Sequence, residues 1–170
     1  MDICEPEAGP APPDPASITP ALIRQVKNWF PKLAVTRETF TSERNPAYDC
    51  FAFAAGDYNN RWNAEPVDID GVYWPAGARS GKTLDVFMSA YAVLGFARCD
   101  DDGVEDGFEK IALYVLGSTV MHAARQMRDG MWRSKLGPFE DIQHAHPHDV
   151  EGRYYGTVAA YMKRRLTSRG

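Results

Sequence analysis

The chain has little cysteine, no long apolar run and no excess of positive charge. Its three cysteines in 170 residues, Cys4, Cys50 and Cys99, are an odd number. The opening MDICEPEAGPAPPDP has neither the basic nor the apolar region of an export leader, which with the odd count argues against a disulfide framework, and a reduced, cytoplasmic protein is expected. No apolar stretch approaches the roughly 18 residues that a membrane span requires, and no membrane role is expected. The net charge of −4 at pH 7 offers no footprint for nucleic acid, and the basic end MKRRLTSRG is too short to supply one. There is no internal repeat, which excludes a solenoid.

What is present is the material of one globular domain, with 44% hydrophobic and 12% aromatic residues. Residues 1–19, acidic and rich in proline, read as a disordered lead-in, residues 20–165 as one domain and 166–170 as a basic tail. In TPALIRQVKNWFPKL, Thr19 caps a helix, Pro20 suits its first turn and Pro31 stops it. A short helix is expected from Tyr48 to Ala55, ended by Gly56. Residues 57–82 read as a long loop, and Thr83 opens the amphipathic stretch TLDVFMSAYAVLGF. The period then changes from helical to alternating. KIALYVLG, VMHAARQM, MWRSKLG and YYGTVAAYMKR read as strands, which makes the class α+β with an antiparallel sheet after the helices.

Three motifs suggest chemistry that their spacing denies. In GARSGKT, Gly77 and Gly81 enclose three residues where a phosphate loop needs four, so Thr83 is a helix cap. CDDDGVED lacks the alternating ligands and closing glutamate of a calcium loop. In HAHPHD, His144, His146 and His148 alternate around a proline with no cysteine ligand nearby, which favours a polar loop over a zinc site. No metal and no cofactor is expected.

Cys50 heads the helix CFAFAAG. A helix start favours a thiolate through its unpaired N–H groups and dipole, and a nucleophilic cysteine also needs a base within reach. A free cysteine is equally at home as a small buried hydrophobe. His122 is the candidate base. Alternation puts Val120, His122, Ala124 and Gln126 on one strand face. A three-residue turn Arg128-Asp129-Gly130, with Gly130 left-handed, then sets Trp132, Ser134 and Leu136 on that same apolar face. In that register Ser134 lies diagonally from His122, within reach of its ring. Lys135 points to the opposite face.

YDCFAFA resembles the stretch that opens the nucleophile helix of NlpC-type papain-like cysteine peptidases. MHAARQMRDGMWRSKLG is similar to their histidine strand, hairpin and following strand. More closely, NWFPKL, YDCFAFAAGD, HAARQ, WRSKLG and YGTV are similar to an uncharacterised bacterial domain family. The papain-like resemblance implies a papain-like α+β fold with Cys50 as nucleophile, His122 as base and Ser134, or else Asp141 or His144, as orienting residue. It further implies an oxyanion hole from the Cys50 N–H with a donor near Asn45 or Tyr48. Phe51 and Ala52 depart from the Ser-Gly that usually follows the nucleophile.

Two functions from different classes follow as expectations. One is a thiol hydrolase or acyltransferase on a protein or peptide substrate, with the 57–82 loop and its Trp62 and Trp74 walling the cleft. The other is a non-catalytic immunity or adaptor module that binds a protein partner through Trp62, Tyr73 and Trp74.

Overall fold

Thr19 Oγ1 accepts the Leu22 N–H at 3.2 Å and Pro20 occupies the first turn, where no N–H is needed, so helix α1 runs Pro20–Trp29 and stops before Pro31. The structure is a computed structural model, which describes residues 9–65 and 68–166. Helix α2, Cys50–Ala54, is shorter than expected and is capped by Asp49, whose Oδ1 accepts the Ala52 N–H at 2.9 Å. Helix α3 runs Leu84–Val93. Thr83 occupies its cap position but makes no side-chain cap bond, and Asp85 supplies the first-turn carboxylate that complements the helix dipole.

Strands β1 (Arg61–Trp62) and β2 (Val72–Tyr73) form a small parallel pair inside the stretch expected to be a loop. The main sheet contains β3 (Ala97–Cys99), β4 (Phe108–Leu116), β5 (Thr119–Gln126), β6 (Trp132–Lys135), β7 (Asp141–His144) and β8 (Thr157–Arg165). Its order is β3-β8-β4-β5-β6-β7, antiparallel at each described pairing. The class is therefore α+β. Among the described residues no helix is long and apolar enough to cross a membrane.

Alternation along the strands divides the core in two. Ile111, Leu113 and Ala123 pack with Ala52, Phe53 and Ala54 of α2 and with Phe87, Ala90 and Tyr91 of α3. Ala112, Tyr114, Ala124 and Trp132 pack on the other face with Val26 of α1 and Phe30, which caps its end. Ile18 is 2% exposed in this second cluster, so order begins before the expected boundary at residue 20. Residues 1–8 of the lead-in and 167–170 of the tail lie outside the described residues.

Trp62 and Trp74, expected as exposed anchors, are only 6% and 9% exposed and belong to the α2–α3 core. Their indole N–H groups find acceptors in Asp57 Oδ2 and the Arg79 carbonyl, which lets both rings bury without an orphaned donor. Tyr73 remains exposed.

Candidate functional site

The β5–β6 turn is the three-residue one. Met127 and Met131 close it by a backbone bond, Gly130 has φ +87°, and Arg125 pairs with Arg133. Trp132 and Leu136 share the apolar cluster of Ala124, as that register requires. Val120 does not. The β4–β5 ladder steps from Tyr114↔His122 to Val115↔Val120, and this bulge at Met121 turns Val120 into the α2–α3 cluster.

Beyond Arg125 and Gln126 the β5–β6 ladder has no further pairs, and the two strands part. The Met127 N–H points toward β6, so by the two-residue period the Ala123 N–H does as well. It faces the gap where the strands have separated. Helix α2 packs against β5 and β6 at this place. Its first residue is Cys50, whose sulfur lies against the Ala123 N–H and the N–H groups of Cys50 and Phe51.

Those donors favour a thiolate, but they do not win. Burial, reinforced by the Asp49 carboxylate, pushes the Cys50 thiol above its ordinary range. The depressed pKa expected of a helix head is therefore absent. A five-residue helix offers only one turn of dipole, and its Asp49 cap brings a negative charge with it.

On the opposite face, His122 Nε2 and Ser134 Oγ are 2.9 Å apart, and Ser134 Oγ and His144 Nε2 are 2.8 Å apart. His144 Nδ1 lies 2.8 Å from the His146 carbonyl oxygen. A carbonyl only accepts, so His144 Nδ1 carries a proton. Burial lowers His144 to about 4, which leaves its Nε2 as a bare acceptor at neutral pH. Ser134 therefore donates to His144 and accepts from His122 Nε2–H. Burial, with a smaller contribution from His144, lowers His122 well below its ordinary value. Its Nδ1 is then a lone pair, and this buried atom has no hydrogen-bond partner. Tyr155 covers the ring face to face, with centroids 3.9 Å apart and planes 3° apart.

The structure thus brings His122, Ser134 and His144 into one chain and sets Cys50 against Ala123, the residue after His122. No hydrogen bond joins Cys50 to His122 among the described residues. Asp141 lies elsewhere. It faces Lys135 across β6 and β7, on the α2 side, and accepts the Tyr48 O–H at 2.8 Å. That bond commits the Tyr48 hydroxyl, while Asn45 Oδ1 accepts the Ala47 N–H. HAHPHD is not a bare loop: His144 ends β7 and Pro147–Val150 form a 3-10 turn. No group of three histidine, cysteine or acidic residues among the described residues is arranged to hold a metal ion.

Two surface clefts of about 420 Å³ each open elsewhere, one lined by Trp29, Arg44, Phe139 and Glu140, the other by Cys99, Asp101, Lys110 and Lys163. Neither is lined by Cys50 or His122. Sequence reasoning missed Tyr155, whose only signal was an aromatic pair before Gly156, and the burial of Lys135.

Fold and site define an α+β domain with a shielded cysteine at a helix head and a His–Ser–His chain in the sheet beside it. The chain belongs to the family described as Domain of unknown function (DUF7689), which matches residues 39–163. No curated protein and no solved structure matches it.

Proposed function

We propose that this domain is a papain-like thiol hydrolase or acyltransferase acting on a peptide, isopeptide or glutamine amide through Cys50 and His122. The unpartnered Nδ1 lone pair of His122 carries this reading. A buried acceptor without a partner costs about 1–3 kcal/mol, and the Ser134–His144 chain holds the ring in the tautomer that creates it. NlpC-type peptidases, which the Cys50 and His122 motifs resemble, require a base of this kind.

In the proposed reaction the Cys50 side chain turns toward the His122 ring, its S–H proton passes to Nδ1 and the sulfur attacks the substrate carbonyl carbon. The Ala123 and Cys50 N–H groups face the sulfur and serve the developing oxyanion. As the tetrahedral intermediate collapses, the C–N bond breaks and the leaving amine takes the proton from Nδ1. Water or a second amine then resolves the thioester. Because Cys50 is only 8% exposed and its thiol is held protonated, the nucleophile forms on proton transfer and does not pre-exist as an ion pair.

That same shielding favours the competing reading, an interaction module that binds a protein partner and in which Cys50 only packs. Alkylation by a chloroacetamide probe, mapped by mass spectrometry on the native full chain, separates the two. A general base contributes on the order of 100-fold or more. Cys50 in the native protein is therefore expected to label at neutral pH, and His122→Ala to slow it about 100-fold. Equal rates in the two proteins, or no labelling of native Cys50, would overturn the enzyme reading.

A further inference from the structure

Lys135 and Asp141 face each other directly across β6 and β7, and their side chains are 0% and 1% exposed. Lys135 Nζ and Asp141 Oδ1 are 3.7 Å apart, and Oδ1 is buried with no hydrogen-bond partner. The other oxygen, Oδ2, accepts the Tyr48 O–H at 2.8 Å. Nζ donates to the Phe139 carbonyl oxygen and sits 4.6 Å from the centre of the Tyr48 ring.

As an ion pair this arrangement is poorly satisfied. A buried carboxylate needs its oxygens paired to repay desolvation, and here the oxygen nearest the ammonium makes no hydrogen bond. We propose that Lys135 and Asp141 are joined by an intramolecular isopeptide bond, formed between Nζ and Cγ with loss of one water.

Nζ attacks Cγ of the protonated carboxyl, the Cγ–Oδ1 bond breaks, and Oδ1 leaves as water with the carboxyl proton and one amine proton. Nothing is oxidised or reduced and no co-reactant is needed. The amide that results satisfies the surrounding polar groups. Its N–H donates to the Phe139 carbonyl, its remaining oxygen Oδ2 keeps the Tyr48 O–H, and the orphaned Oδ1 is the atom expelled. The Tyr48 O–H polarises the carboxyl for attack.

Burial supplies the reactive forms. It lowers Lys135, against the opposing pull of Asp141, and it raises Asp141, against the Tyr48 bond and Lys135. Both shifts move toward the uncharged amine and acid that the condensation consumes. Fixing amine and carboxyl side by side in the fold makes the condensation intramolecular and removes the entropic cost of bringing them together. The reaction does not depend on Cys50 or His122.

The test is the intact mass of the purified, denatured full chain, compared with Lys135→Arg and Asp141→Ala. The wild type is expected to weigh one water less than its sequence, both variants to return to theirs, and fragmentation to find residues 135 and 141 in one cross-linked peptide. Succinimide formation at an Asp-Gly pair such as Asp129-Gly130 also removes water. It would persist in Lys135→Arg and reverse in mild alkali, whereas an amide would not. A wild type at full sequence mass, or a water loss that survives Lys135→Arg, overturns the proposal.

Discussion

Gly156→Ala is expected to cost the folded state about 4 kcal/mol or more, combining backbone strain with an overlap that cannot relax. Gly156 has φ +74°, and an added Cβ would lie 2.0 Å from the Val115 carbonyl oxygen, 2.5 Å from its carbon and 2.8 Å from Leu116 Cα. These are backbone atoms of β4, held by the pairing of Val115 with Thr157. They cannot withdraw without opening the sheet beside the site.

The loop that ends at Gly156 is closed by reciprocal backbone bonds with Gly152, and it presents Tyr155 to the His122 ring. The substitution should therefore disturb the site as well as stability. Urea unfolding measures the loss, and the His122 ring resonances report whether Tyr155 has moved. Gly107→Ala is the matched control. Gly107 also has positive φ, at +81°, but its Cβ would meet nothing within 4 Å, so only the conformational cost of about 1 kcal/mol is expected. Similar losses in the two variants would show that the contact with Val115 is not what makes position 156 special.

The contrast between these glycines shows how much of the molecule was readable. Local signals worked where neighbouring residues decide the outcome. Thr19 and Pro20 start α1, Gly56 and Gly95 end α2 and α3, and the demand for one apolar face selects the Arg128-Asp129-Gly130 turn. That turn places Ser134 at His122. The bulge at Met121 was not readable, because it arises from the β4–β5 ladder and from α2–α3 packing that draws Val120 to the other side.

The fate of the aromatic loop was hidden for a similar reason. Trp62 looks like an exposed anchor in sequence. It buries because Asp57 lies where its indole N–H can reach it and because the Asp49 cap also accepts the Trp62 backbone N–H. The direction of the Cys50 shift is hidden in the same way. A helix head does favour a thiolate, yet the desolvation that overrides it comes from residues distant in sequence. The papain-like resemblance offers His144 as one option for orienting His122. Its actual role, acting through Ser134, depends on the pairing of β6 with β7, and the sequence signals only the first of these two strands.

Lowering the pH from 6.5 to 4 is expected to remove about 3 kcal/mol of stability through His144 alone. Its folded-state value of about 4 lies some two and a half units below the ordinary 6.5, at about 1.4 kcal/mol per unit. As pH falls through this window the unfolded chain takes up a proton at residue 144 and the folded chain does not. The contribution is thus complete above 6.5 and shrinks on acidification. His122, lowered for the same reason of burial, adds to the loss. Asp49 acts with the opposite sign, because its folded-state value lies above 3.8 and acid relieves the strain of burying its charge. The difference between proteins therefore isolates the histidine contribution better than any single curve. In His144→Gln, urea midpoints measured between pH 7 and 4.5 should fall less steeply, by the slope of about one proton, even if the variant is weaker throughout. Parallel curves would show that His144 is not held neutral by the fold. If the slopes do differ, the same burial that makes the domain acid-labile keeps imidazoles uncharged at neutral pH. His122 Nδ1 is then a free lone pair throughout the stable range. An acid limit on Cys50 alkylation would then reflect loss of the fold and not a histidine titrating near 6.5.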